Sequence, residues 1–266
     1  AAATDGTHLA VAWTQLTGDG TTQIYVEQYS GGSWTAMGGS ASGLGISQGT
    51  YSASAPTLAY FNATLFAAWQ QIVPDVSQVP QIYAAKFNTG TSSWVAAGTG
   101  SNSGHGVSNN TMLATDPVLA SGGGQLMLAW QNTGIAAANQ STAMYLLSWN
   151  GSAFAEAVPG QGSGAGVARM QSDFQPISLA IDPNGDGFAA FGDAGSANGI
   201  LVIGTPTPAQ QVFVADATHS IQSILDNNTL GASDVIQVRA GYQGAVTITA
   251  ADSGVTIVGA PGLASL

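Results

Sequence analysis

One phrase recurs along the chain: GGSWTAMGGSASGLGIS at residues 31–47, TSSWVAAGTGSNSGHGVS at 91–108 and GSAFAEAVPGQGSGAGVA at 151–168. Trp34, Trp94 and Phe154 fall 60 residues apart at each step, and Gly43, Gly104 and Gly164 follow at 61 and 60. Further columns keep the same beat: Trp13, Trp69 and Trp130; Tyr25, Tyr83 and Tyr145; Pro56, Pro117 and Pro176. A period of this length marks a supersecondary unit that hides its apolar face only by stacking on copies of itself.

The second copy reads as strands at PTLAYF (56–61), TLFAAWQQ (64–71), QIYAAKFN (81–88) and SWVAAG (93–98). Each run is rich in β-branched or aromatic residues, and Asn, Gly, Pro and Ser punctuate them. Asn62-Ala63 and Gly122 to Gly124 are hairpin-sized links. Four antiparallel strands per unit is the plan of a propeller blade, in which each large ring wedges between neighbours. The reading is therefore all-β, with propeller-like four-stranded blades over residues 1–206, divided 1–55, 56–116, 117–175 and 176–206. The fourth copy keeps PISLAI, GFAAFGDA and GILVIGTP, with Phe191 in place of the tryptophan. Propellers close with about four to eight blades, so either residues after 206 complete a small four-bladed ring or the open arc expects further repeats or copies of itself as partners.

A Pro-led strand, then AWQ, then IY, then Trp before a GxGSxSGxGxS tail resembles the repeats of bacterial secreted and surface propellers, akin to kelch-type or sialidase-like blades. The sialidase Asp-box and the kelch double glycine are absent, so no catalytic residue of those families carries over. After TPTPAQQ (205–211), residues 207–266 change character. Ile221, Ile224 and Leu225 share a face of a short helix capped by Thr218 or Ser220, and DVIQV, AVTITA and GVTIVG read as strands. With Ile236, Val238, Gly241 and Tyr242, this stretch resembles the cap and first coil of a pectate-lyase-like parallel β-helix. That resemblance implies further stacked coils.

Charge narrows the function classes. Lys and Arg number 3 against 14 Asp and Glu, for a net charge of −11. Such a chain repels phosphate backbones and anionic bilayers, which excludes nucleic acid as a partner. No apolar run reaches the ~18 residues of a membrane span, cysteine is absent, and AAATDGTHLA shows no signal peptide. Only 6% of residues are charged, so Ser, Thr, Asn, Gln and Gly form the surface. The cations are Lys86, Arg169 and Arg239.

Few residues offer chemistry. In DPNGDG, Asp182, Asn184 and Asp186 alternate as oxygen ligands of calcium do, while a hairpin turn accounts for the same residues. Calcium is thus the one cofactor candidate. His105 shares a column with Leu44 and Ala165, and His8 and His219 stand near element starts without a Ser and Asp arrangement. Sequons at Asn62, Asn109, Asn139, Asn150 and Asn227 follow from the polar composition. Tyr25, Tyr83, Tyr145, Trp34 and Trp94 either pack between blades or present rings to extracellular glycans from equivalent places. The favoured expectation is a non-enzymatic extracellular structural or adhesive module, part of a surface or fibre-forming protein. The alternatives are a lectin-like glycan-binding propeller and a non-catalytic part of a polysaccharide lyase or epimerase.

Overall fold

A computed structural model of the chain describes residues 1–73, 78–134, 142–163, 166–170, 174–193, 199–205, 212–216, 219–227, 235–239, 245–247, 249 and 256–259. Gly164, Thr218, Gly241, Tyr242, Asn139 and most of the proline-rich linker lie outside the described residues.

Antiparallel sheets follow one another along the chain, one per repeat. The first comprises β1 (Ala2–Thr4), β2 (Leu9–Leu16), β3 (Thr22–Ser30) and β4 (Ser33–Ala36) in spatial order β1-β2-β3-β4. The second repeats the plan with β5 (Ala53–Phe61), β6 (Thr64–Ile72), β7 (Pro80–Asn88) and β8 (Ser93–Ala96). The third has β9 (Leu113–Gly122), β10 (Gln125–Thr133), β11 (Thr142–Trp149) and β12 (Phe154–Ala155), with β13 (Ala168–Met170) also paired to β11. In the fourth, β14 (Phe174–Ile181), β15 (Gly187–Asp193) and β16 (Gly199–Thr205) form a three-stranded sheet. This is a propeller-like arrangement, and β1, β5, β9 and β14 are its inner strands, each adjacent to the next. Asn62 and Ala63 take φ of 47° and 59°, the left-handed pair that lets a two-residue turn follow strand twist.

The seams between sheets are the cores. Leu65, Ala67, Trp69 and Tyr83 of the second sheet pack on Ala10, Ala12, Ile24 and Val26 of the first. The opposite side of the second sheet, with Phe66, Ala68, Ile82 and Ala84, packs on Leu126, Leu128, Trp130 and Tyr145. Met127, Ala129, Met144 and Leu146 meet Ile177 and Ala189 at the next seam. Period-2 alternation thus gives each interior sheet two apolar faces. Trp13 pairs Tyr25, Trp69 pairs Tyr83 and Trp130 pairs Tyr145, ring to ring at 5.8, 6.2 and 5.6 Å. Lys86 Nζ lies 4.9 Å over the Trp149 ring across the second seam, a cation–π contact.

The glycine-rich phrase lays a loop along the third strand. Ile46, Val107 and Val167 donate their N–H to Ile24, Ile82 and Met144 carbonyls at 2.8, 2.6 and 2.9 Å. The residue before each is a glycine at φ of 60° to 65°, and an added Cβ would stand 2.0, 2.1 and 2.3 Å from the same carbonyl oxygens. Only glycine fits there. Ser47 and Ser108 then accept from the N–H of Ile24 and Ile82, each at 2.9 Å.

Beyond the antiparallel sheets, β17 (Val212–Ala215), β18 (Val235–Val238) and β19 (Thr256–Gly259) form a small parallel sheet. Helix α1 (Ile221–Asn227) buries Ile221, Ile224 and Leu225 beside Ile236 and Val238. Ser220 caps it by accepting from Ser223 N–H at 3.0 Å. The expected parallel β-helix is corrected here: the described residues give one three-stranded sheet and no stacked coils. Residues 245–247, read as strand, carry none, because Thr247 N–H goes to the Gln222 side chain at 2.7 Å instead of a ladder. No helix among the described residues is long and apolar enough to cross a membrane.

Candidate functional site

The inner strands are interrupted near their starts. Register shifts fall between Ser54 and Thr57 in β5, opposite Ala129 and Gln131 in β9, and between Gln175 and Ser178 in β14. The extra residues are Ala55-Pro56, Asp116-Pro117 and Pro176-Ile177. Proline has no N–H for a ladder, so a bulge is where a strand tolerates it. Pro176 stands one position ahead of the other two, which is why sequence spacing alone misaligns it. Ala55 and Asp116 have φ of 49° and 54°, uncommon for residues with a side chain and more so before proline.

Side chains hold these bulges across the seam. Gln70 donates to Ser54 Oγ at 2.8 Å and accepts from Asp116 N–H at 3.3 Å, while Thr57 Oγ1 accepts from Leu119 N–H at 3.0 Å. Asp116 is thereby fixed through its backbone while its side chain is exposed. Beside it, Trp130 Nε1, Gln131 Oε1 and Asn132 Nδ2 are buried without a hydrogen-bond partner. The sister positions are satisfied, with Trp13 Nε1 on Gln15 Oε1 at 3.1 Å and Trp69 Nε1 on Gln71 Oε1 at 2.9 Å. The bulge end of the third sheet therefore combines an exposed carboxylate with buried amide and indole groups that no protein partner satisfies. Sequence reading passed over Asp116; the signal was an acid immediately ahead of a column proline. A cavity of about 480 Å³ lies farther out, between the second glycine-rich tail and the β11–β12 turn, with Ser103, His105, Asn109 and Phe154 in its wall. His105 Nδ1 lies 2.8 Å from the Asn110 carbonyl oxygen.

The sequence candidates fall elsewhere. Tyr83 and Tyr145 are buried in the seams, and Tyr25 is buried on the outer face of the first sheet beneath the glycine-rich tail. Tyr25 donates to the Gly43 carbonyl at 2.6 Å and Tyr83 to that of Gly104, so these rings offer no face to a ligand. Trp94 is half-buried, its Nε1 on the Met37 carbonyl at 3.0 Å, and Trp34 is exposed. In the Asp182 loop, Asp182 Oδ1 accepts from Asn184 and Asp186 N–H at 2.8 and 2.9 Å, as a hydrogen-bonded turn does. Gly185, at φ 94°, completes that turn against Gly123. Among the described residues no three or more His, Asp or Glu side chains gather as a metal site.

Elsewhere, carboxylates are tuned by local bonds. Asp5 is held down at about 2, first by the His8 ring at 2.9 Å and then by the His8 and Thr7 N–H groups. Asp19 lies at about 2, chiefly through the Thr17 hydroxyl. Burial raises Tyr60 above its ordinary value against the opposing Gln28 bond.

No protein-family model matches the chain, and no curated protein matches it. Solved structures do. A protein of unknown function from Dyadobacter fermentans aligns over 78% of this chain and 65% of its own length, at TM-score 0.51 and 13% identity. The chain thus spans less than two thirds of that structure. An endo-arabinase from Bacteroides thetaiotaomicron aligns over 77% and 73% at TM-score 0.41 and 10% identity. A Podospora anserina α-L-arabinofuranosidase in complex with cellotriose aligns over 77% and 63% at 0.44 and 7%. At these identities the likeness is one of fold. The expectation of a non-enzymatic structural, adhesive or fibre-forming module is corrected here: several of the matched structures are glycoside hydrolases, and a likeness of fold assigns no role by itself.

Proposed function

We propose that the chain is the propeller portion of a glycan-active protein, and that the bulge end of its inner strands, centred on Asp116, takes a neutral polysaccharide. The observation that carries this reading is Asp116 itself, a carboxylate in a left-handed, pre-proline bulge whose N–H is held by Gln70. Strained backbone clusters at functional sites, and of the two residues that share this pre-proline conformation, Ala55 and Asp116, it is Asp116 that carries a reactive side chain. The company of arabinan- and fructan-type hydrolases in fold supports a furanoside-containing glycan. A net charge of −11 favours an uncharged substrate over an acidic one. An extracellular setting suits such a polymer.

Glycoside hydrolysis ordinarily pairs two carboxyl groups, one protonating the leaving oxygen and one acting as base or nucleophile. Asp116 is assigned the first of these positions. The test incubates the protein with arabinan, fructan and xylan and measures new reducing ends, with calorimetry for binding. Asp116→Asn is expected to lower turnover at least about a hundredfold while glycan binding persists. Wild-type silence on every neutral glycan in both assays, or an Asp116→Asn variant as active as wild type, sinks the proposal.

A further inference from the structure

Each interior sheet has both faces covered, and the repeat columns show that the first sheet does not. Leu65 and Leu126 are 1% and 0% exposed, whereas Leu9, at the same place in β2, is 39% exposed. Trp69 and Trp130 are enclosed, and Trp13 is half-buried. Trp94 reaches the Met37 carbonyl of the preceding sheet, yet Trp34, its counterpart in β4, is 45% exposed. Tyr29 pairs with both Leu9 and Trp34, its ring 5.3 Å from the indole. These side chains form one continuous apolar patch, larger than isolated exposed residues account for.

We infer that this face is a docking surface for one further four-stranded blade of the same repeat type. The established seams specify the occupant. Across the first seam, the matching face of the second sheet is covered by Ala10, Ala12, Ile24 and Val26. Across the next, Phe66, Ala68, Ile82 and Ala84 cover the third sheet. The occupant therefore offers apolar residues on its central strands, chiefly alanine and β-branched ones. It also offers a bare carbonyl on its glycine-rich tail, in the Met37 position, to accept from Trp34 Nε1. This inference stands on the fold alone and is independent of the glycan reading.

The chain's own repeat supplies the probe. Ala2 pairs Val11 as Leu119 pairs Leu128, and Val11 and Leu128 share a column. Residues 53–118 fused ahead of Ala2 thus complete the first inner strand in register and place Phe66, Ala68, Ile82 and Ala84 against the open face. The chain has no cysteine, so Leu9→Cys gives one reporter thiol. Its labelling is expected to slow at least about tenfold in the fusion, as for a group passing from exposed to core, while Asn184→Cys labels equally in both proteins. Trp34→Cys reads the same face if Leu9→Cys does not fold. An unchanged rate in a cooperatively folded fusion overturns the inference. So does protection already present in the unfused chain together with a doubled mass in light scattering, which assigns the face to a second copy.

Discussion

The second and third sheets solve one packing problem in two ways, which yields a coupled pair of mutations. Gln71 bonds the Trp69 indole at 2.9 Å, and it has room because Gly49 lies beside it: a Cβ on Gly49 would come within 2.1 Å of Gln71 Nε2. One repeat later the corresponding residues are Asn132 and Asn110, whose amides approach at 3.5 Å, and the Trp130 indole has no partner. Asn132→Gln lengthens the side chain by a methylene, about 1.5 Å, into space that Asn110 occupies. Alone it is expected to destabilise by about 1–2 kcal/mol through overpacking. Asn110→Gly alone forfeits the bond from Met112 N–H to Asn110 Oδ1 at 2.9 Å, a loss of about 1 kcal/mol. Together they rebuild the Gly49–Gln71 arrangement, restoring an indole bond and removing a buried orphan, each worth about 1 kcal/mol or more. The double-mutant cycle should therefore show a favourable coupling of about 1–3 kcal/mol. Urea unfolding followed by circular dichroism, at constant m-value, measures it. Additivity of the two single changes within about 0.3 kcal/mol refutes the equivalence of the two seams.

Gly106→Ala should destabilise by roughly 3 kcal/mol or more in the same assay, since its Cβ meets the Ile82 carbonyl at 2.1 Å. Gly104→Ala, at φ 56° in open space, should cost only about 1 kcal/mol. For Asp5 the folded value of about 2 lies below the unfolded 3.8, so its contribution is fully present above pH 3.8 and is lost as pH falls through about 2. Carbon-detected NMR should find that midpoint near 2, and His8→Ala should raise it. Calcium is expected to leave the melting temperature unchanged, because Asp182 already accepts the Asn184 and Asp186 N–H groups; a rise with Ca²⁺ would assign a site there.

Much of the fold is legible from periodicity. The first three strands read in the second repeat lie within β5 to β7, the fourth runs two residues past the end of β8, and the tryptophan and tyrosine columns become cross-strand pairs, because alternation and ring size report burial directly. The repeated glycines are equally readable once one asks which carbonyl a Cβ would strike. What was not legible depends on contacts distant in sequence. Whether Tyr25 presents a ring or buries it is settled by the Gly43 carbonyl that takes its hydroxyl, and spacing carries no sign of that. AVTITA has the composition of a strand, but Gln222 of the helix takes the Thr247 N–H. Asp116 was hidden for a related reason: its significance comes from Gln70 on the neighbouring sheet, and column averaging treats a lone acid as noise.

The central claim is that each repeat is one blade whose faces are interchangeable with those of its neighbours. Removing residues 58–118 joins Thr57 to Leu119 and deletes one repeat in phase, since Leu58 and Leu119 hold the same register. Thermal unfolding monitored by near-ultraviolet circular dichroism should then remain a single cooperative transition with the tryptophan signal preserved, whereas removing residues 89–118, half a repeat and so out of phase, which joins the third strand of one sheet to the inner strand of the next, should abolish both. If the two deletions behave alike, the repeat is not the structural unit.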